Sequence, residues 1–267
     1  MPVVLVSPDD PRLTVYRHVR DAELLRVEGL FIAEGRFVVR RLLDGGRFTP
    51  RSLLVSPPAA ADLADVIRGY PDLPCFVLPA EDFSAVAGFH VHRGCLAVAE
   101  RGSELPWQDV SRPGGVLLAL EGVADPDNVG SIFRHAAAFG ATGILLSAGC
   151  ADPLYRKAIR TSMGAALQVP YARVDALPAT LHQLRERGCT VAALTLQPGA
   201  TPLREARAAI GGGPVVLVLG HEGAGLSPDA LAGATMQVRI PMAPGTDSLN
   251  VATAAAIALY EIRQAVG

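Results

Sequence analysis

PVVLVLG-HEGAGLS at 214–227, followed by MQVRIPM-APGTDSLN-VATAAAIALYEIR at 236–263, is the stretch whose reading decides the fold. Two apolar runs within it, Val215–Leu219 and Met236–Ile240, have the length and β-branching of buried parallel strands. Each ends in a turn rich in glycine, proline and serine. Ligands of open α/β sheets sit at the carboxyl ends of the strands, so these two turns are where a small molecule is expected to bind. Beyond the second turn Ser248 and Asn250 can cap a helix, and Ala252–Ile262 is rich in strong helix formers. A third pair lies upstream: the expected strand Val116–Glu121 runs into GVADPDNVGSIFRHAAAFG (122–140), where Asn128 and Arg134 flank a helix start.

Outward from this stretch, the chain from Val116 has a doubly wound rhythm. Strands are expected at Val116–Glu121, Gly143–Ser147, Leu167–Tyr171, Thr190–Thr195, Val215–Gly220 and Met236–Ile240, and helices at Val129–Phe139, Leu177–Arg187 and Leu249–Gln264. The region before Glu100 reads as a smaller α/β unit. Helices are expected over Pro11–Leu25, Gly35–Leu43 (stopped by Gly45-Gly46) and Ala59–Arg68, and strands over Leu30–Ala33, Ser52–Val55, Cys75–Leu78 and Cys95–Ala99. ERGSELPWQDVSRPGG (100–115) between them is a polar, Pro/Gly-rich linker holding the one tryptophan, Trp107. An exposed Trp107 could stack on a base, and a packed one would fasten the linker to a domain.

At 267 residues and 50% hydrophobic content the chain can bury a full core. No apolar run reaches the roughly 18 residues that span a bilayer. MPVVLVSPDDPR at the start lacks the basic region of a signal peptide, so a cytoplasmic protein without membrane attachment is expected. Cys75, Cys95, Cys150 and Cys189 are far apart, with no CxxC, and read as reduced thiols. His90 and His92 alternate as on a strand, without a carboxylate partner, and read as structural; no metal is expected. Lys157 is the one lysine among 24 basic residues, and the formal net charge is −2. No global field therefore attracts nucleic acid, and any RNA contact has to be local. Arg17, Arg20, Arg36, Arg40 and Arg41 could hold phosphates, but Asp21, Glu23, Glu28 and Glu34 are interleaved with them, and surface ion pairs are the other reading.

The turns do not carry a dinucleotide site, which needs GxGxxG after the first strand; the glycines of GVADPDNVG and GHEGAG are wrongly placed. Gly220, Gly223 and Gly225 would let backbone approach a flat ligand without a Cβ clash.

Asn128-Val-Gly-Ser-Ile-Phe-Arg134, Gly220-His-Glu-Gly-Ala-Gly-Leu226 and Pro241-Met … Ser248-Leu-Asn-Val251 resemble the three motifs of the SpoU (TrmH-type) RNA 2′-O-ribose methyltransferases, members of the knotted SPOUT superfamily. The likeness extends to RKAIRTSMGAALQVP and, more loosely, to the N-terminal half, where Gly29-Leu-Phe-Ile-Ala-Glu-Gly35 carries it. Two positions depart from the pattern: Ala252 stands where serine is frequent, and His221 where asparagine is more usual.

The resemblance implies an α/β architecture. A C-terminal SPOUT domain (114–267) would have a parallel sheet and a trefoil knot, its last helix passing through the loop near Gly220. A small α/β, ribosomal-protein-like RNA substrate-binding domain (1–102) would precede it across a linker at 103–113. It implies S-adenosyl-L-methionine as cofactor, held by backbone at Leu219, Gly220, Ile240 and Leu249. It implies rRNA or tRNA as substrate and a homodimer, to which the Ala-rich helix Val251–Ile262 would contribute. Family mechanisms give the proton of the 2′-hydroxyl to the motif-one arginine, here Arg134. A guanidinium is essentially never deprotonated at neutral pH, which favours Arg134 as a clamp on the developing alkoxide or the adjacent phosphate and leaves a general-base role as the open alternative. Asn128, Ser248 and Asn250 would orient arginine and ribose, and Glu222 could pair with Arg134. The alternatives are a SPOUT methyltransferase acting on a base nitrogen and a non-catalytic RNA-binding or ribosome-assembly factor.

Overall fold

The chain divides into two units, Met1–Ser103 with Pro153–Gln168, and Glu104–Asp152 with Val169–Gly267. The computed structural model describes residues 3–17, 21–88, 94–111, 114–210 and 213–266. Among these, no helix is long and apolar enough to cross a membrane.

The first unit is built on a five-stranded sheet: β1 (Val3–Leu5), β2 (Leu30–Glu34), β3 (Pro50–Val55), β4 (Cys75–Val77) and β5 (Cys95–Glu100), in the order β1-β4-β3-β5-β2. β1, β4 and β3 run parallel, while β5 is antiparallel to both its neighbours. The helix Arg36–Gly45 lays Val38, Val39, Leu42 and Leu43 on the core and stops at Gly46, whose φ of 62° is the left-handed helix-ending conformation.

Two helices expected in this unit differ from the reading. Pro11–Leu25 is not one helix: Pro11–Tyr16 is a 3-10 helix capped by Asp10, and the chain later forms Asp21–Glu23 and a π-helical turn, Leu24–Glu28. Leu13 and Tyr16, both buried, are three residues apart, a spacing that three residues per turn stacks in one column. The stretch 59–68 is broken at Leu63 into Pro57–Asp62 and Ala64–Ile67.

Pro153–Gln168 belongs to this unit as well. Its helix Arg156–Thr161 packs on β2, and Asp21 accepts hydrogen bonds from the Arg156 backbone N–H (3.0 Å) and Nε (2.9 Å). The strand expected at Leu167–Tyr171 does not form. Ala165–Leu167 is a 3-10 turn, and the next strand begins only after Pro170, which has no N–H to donate to a ladder.

The second unit is a seven-stranded, wholly parallel sheet: β6 (Val116–Leu120), β7 (Gly143–Ser147), β8 (Tyr171–Val174), β9 (Thr190–Leu194), β10 (Thr201–Pro202), β11 (Val215–Leu219) and β12 (Met236–Arg239). Its order is β10-β12-β9-β11-β6-β7-β8. β6, β7 and β11 are buried at every position, as the continuous apolar runs require of strands covered on both faces. The chain moves from β6 outward through β7 and β8, then returns to build the other side. That reversal brings the carboxyl ends of β12, β9 and β11 together as neighbours. The helix Pro126–Phe139 packs against the last helix, Val251–Val266.

Candidate active site

A pocket of about 360 Å³ opens where β9, β11 and β12 end. Leu219 and Gly220 line it from β11, Ile240 and Met242 from β12, and Ser248 and Leu249 from the turn before the last helix. The four residues expected to hold a cofactor thus meet in one cavity, of a size usual for small-molecule sites. Leu194, Thr195, Leu196 and Gln197, at the end of β9, form a further wall that the reading missed. Their only signal was a polar turn closing an apolar run; that β9 lies between β11 and β12 is a fact of sheet order.

The loop His221–Leu226 closes on itself. The His221 N–H donates to the Gly225 carbonyl at 3.2 Å, and the Gly225 N–H returns the bond at 2.9 Å. His221 Nδ1 accepts from the Gly223 (2.9 Å) and Ala224 (3.3 Å) N–H groups. A Cβ on Gly220 would lie 2.5 Å from the Gly225 carbonyl carbon and 2.6 Å from the Leu226 nitrogen. The expected reason for this glycine therefore changes: it admits the loop's own returning backbone. Gly225 is needed for its φ of 70°, and a Cβ on Gly223 would only touch the His221 ring at 3.6 Å. The loop's far end is pinned by Glu121, which accepts from the Ser227 N–H (2.8 Å) and Oγ (2.7 Å).

Three expected residues form a chain of hydrogen bonds. Asn128, buried at the start of the helix Pro126–Phe139, donates from Nδ2 to Glu222 Oε1. Its own Oδ1 accepts from Asn250 Nδ2 at 2.8 Å. Asn250 Oδ1 accepts from the N–H groups of Ala252 (2.9 Å) and Thr253 (3.2 Å), so Asn250 is the cap of the last helix, which starts at Val251. The three motifs are joined at one point.

Arg134 stands apart. It is exposed, and among the described residues it makes no hydrogen bond or ion pair. The expected Arg134–Glu222 pair is replaced by Asn128–Glu222, because Asn128 lies at the helix start and Arg134 six residues further along. The neighbouring His135 turns inward, and its buried Nδ1 has no hydrogen-bond partner. Burial holds its pKa below the ordinary 6.5; the nearby Ala252 backbone opposes this, and the charge of Arg134 reinforces it.

The other sequence candidates are accounted for within their own units. Arg36 pairs with Asp62, Arg40 donates to Asp65 Oδ2 at 2.6 Å, and Arg17 donates to the Pro8 carbonyl. Ion pairing is thus the reading that holds for Arg36 and Arg40. Trp107 packs against the second unit's core with the Arg187 guanidinium 4.6 Å above its ring. All four cysteines are free, and burial pushes Cys75 up to about 11 and Cys95 up to about 12. Arg20, His90 and His92 lie outside the described residues.

Residues 115–260 match the SpoU rRNA Methylase family. An uncharacterized tRNA/rRNA methyltransferase of Mycobacterium bovis is 45% identical over 96% of this chain and 89% of its own length. Among solved structures, the AdoMet-bound rRNA methyltransferase from Sinorhizobium meliloti is 30% identical, with a TM-score of 0.83 over 98% of both chains. The SpoU methyltransferase AviRb from Streptomyces viridochromogenes, in complex with AdoMet, shares the fold at 22% identity, with a TM-score of 0.80 over 96% of this chain and 97% of that one.

Proposed function

The chain belongs to the SpoU rRNA methylase family, and we propose that it is a 2′-O-ribose methyltransferase of rRNA or tRNA that works as a homodimer. S-adenosylmethionine-dependent methylation of RNA is the activity of the family; the ribose as acceptor and the roles below are our reading. The observation that carries it is the pairing of a cofactor-sized pocket with an uncommitted cation, Arg134, on the helix whose first turn is bonded to the pocket residue Glu222.

The pocket suits the cofactor's mixed character. Leu219, Ile240 and Leu249 offer apolar walls, and the ends of β11 and β12 offer backbone polar groups to a flat heterocycle. Bound there, S-adenosylmethionine would supply an electrophilic methyl on a sulfonium centre. The protein's part is to hold the ribose and to disperse charge as the 2′-hydroxyl loses its proton. Arg134, always protonated, cannot take that proton, which would pass to solvent water as the oxygen bonds the methyl and the sulfonium leaves as the neutral thioether. Arg134 acts as a fixed positive clamp on the developing alkoxide or the neighbouring phosphate. Asn128 and Asn250 set the two helix starts in register, and Ser248 faces the pocket, where its hydroxyl can orient the ribose.

We assign residues 1–102 to RNA binding and the exposed Ile257 and Tyr260 of the last helix to the dimer contact. Most of that helix's apolar surface is not available for a partner: Val251, Ala252, Ala255, Ala258, Leu259 and Ile262 are buried within the protomer. The family also implies that the last helix passes through the loop near Gly220 as a trefoil knot.

The test is methyl transfer from labelled cofactor to total RNA, with the modified nucleotide mapped, followed by the same RNA carrying a single 2′-deoxy residue there. We expect binding without transfer. Methylation of the deoxy substrate would move the protein to the base-methylating branch.

A further inference from the structure

In the first unit, two large apolar residues, both partly exposed, are linked through one guanidinium. Phe37 is 49% exposed and Met163 41%. Arg41 lies over the Phe37 ring, its guanidinium carbon 4.4 Å from the centroid, and its Nη1 donates to the Met163 carbonyl at 2.9 Å. Beside Phe37 a hollow of about 340 Å³ is lined by Arg36, Arg40, Asp62 and Leu63.

Met163 has a φ of 53°, the only non-glycine residue in the left-handed region among those described. Its backbone is held there by a tight turn: its N–H donates to Arg160 O, and the Gly164 N–H donates to Ile159 O, both at 2.9 Å. A glycine would adopt this conformation without strain, whereas methionine does not, and the side chain is still left 41% exposed. A strained residue that presents an apolar side chain to solvent is better explained by a ligand than by folding. The charges narrow the ligand. Arg36 and Arg40 are neutralised by Asp62 and Asp65, but Arg41 and Arg160 have no carboxylate partner among the described residues.

We propose that Phe37, Arg41 and Met163 form a stacking site for an unpaired RNA base, with Arg41 and Arg160 facing the flanking phosphates. The proposal rests on the reading of the chain as an enzyme acting on RNA, and adds a second contact, made by none of the residues that line the pocket. An aromatic ring, a flat guanidinium and a polarisable thioether each accept the face of any base, so the site is sequence-tolerant. A protein partner would be served by the apolar pair alone and would leave the two unpaired cations without a role.

The test uses the full-length protein and a short oligoadenylate RNA carrying one 2-aminopurine, whose fluorescence is quenched by stacking. Phe37→Ala should weaken binding about five- to a hundred-and-fifty-fold, the scale of losing one stacked base, and abolish the quenching. Phe37→Trp should restore both. Met163→Gly is the decisive variant: it should also weaken binding, while the thermal midpoint stays level or rises because the strain is removed. Val27→Ala, at another exposed apolar residue of the same unit, should change nothing. Unchanged binding and quenching in either Phe37→Ala or Met163→Gly would overturn the proposal, as would a wild-type protein that does not bind the oligonucleotide. Methyl transfer to total RNA, measured on the same samples, separates the two readings. Transfer without stacking rejects this surface alone, and stacking without transfer rejects the proposed enzyme function alone.

Discussion

Gly220→Ala tests the account of the cofactor loop most directly. The new Cβ would stand 2.5 Å from the carbonyl carbon of Gly225, 2.6 Å from its oxygen and 2.6 Å from the nitrogen of Leu226. Carbon atoms in good contact are about 3.5–4.0 Å apart, so the returning backbone has to move by roughly 1 Å. All three obstructing atoms belong to the main chain, and no side chain can swing aside. The displacement would break the paired His221–Gly225 hydrogen bonds, each worth about 0.5–1.5 kcal/mol net. Losing both gives a cost of about 1–3 kcal/mol, concentrated in the loop that walls the pocket. Affinity for S-adenosylmethionine should therefore fall about five- to a hundred-and-fifty-fold. The thermal midpoint should move little, because the loop is exposed and can shift without opening the core. Gly223→Ala is the matched control. Its Cβ would meet only the edge of the His221 ring at 3.6 Å, an ordinary contact, and affinity should stay within about twofold. Calorimetric titration of both variants decides the matter. Equal losses in the two would show that the glycines serve the ligand's approach, as the sequence alone suggested, and would refute the loop-closure argument.

Arg134→Ala should leave cofactor affinity and thermal stability unchanged, since the side chain is exposed and unpaired, and should lower turnover about a hundredfold or more; Arg134→Lys should rescue little. His135 should make stability pH-dependent: with its folded pKa depressed, the unfolded chain binds more protons, so stability is fully present above 6.5 and is lost as pH falls below it. His135→Gln should flatten that slope in thermal melts between about pH 5 and 7. A fragment of residues 114–267 lacks β2, on which the helix Arg156–Thr161 packs, so it should melt below the full chain and bind an apolar dye through the uncovered Ala158 and Ile159. A fragment as stable as the whole protein would remove any structural role for that packing.

What the sequence made legible follows from what repeats along the chain. Buried parallel strands are apolar throughout, so β6, β7 and β11 were found within a residue of their ends. The pocket walls at Leu219, Gly220, Ile240, Ser248 and Leu249 were legible because turn chemistry follows each strand directly. Leu194–Gln197 were not, since only the placement of β9 between β11 and β12 brings them there, and order in a sheet has no periodic trace. Segment 153–168 was hidden for a related reason. Its helix is short, and its apolar residues answer to β2, more than a hundred positions earlier, so no local pattern reports the packing. At Leu167–Tyr171 the apolar run predicts a strand, but Pro170 forbids the ladder until the residue after it.

The misplaced partner of Glu222 bears on the chemistry. Had Glu222 paired with Arg134, the guanidinium would begin the reaction with its charge already matched. A developing alkoxide would then have to displace a carboxylate, losing a charged hydrogen bond worth about 1.5–3 kcal/mol before gaining its own. The observed arrangement avoids that competition. Asn128 supplies Glu222 with a neutral donor, and Asn250 occupies the remaining side of Asn128 while capping the last helix. The carboxylate is satisfied without consuming a cation, which leaves Arg134 able to act as the clamp we propose. A clamp on a transition-state charge has to be left unmatched in the resting protein, since an interaction made equally in both states does not raise the rate. On that proposal, an asparagine at position 128 matters by keeping Glu222 from Arg134 as much as by what it holds.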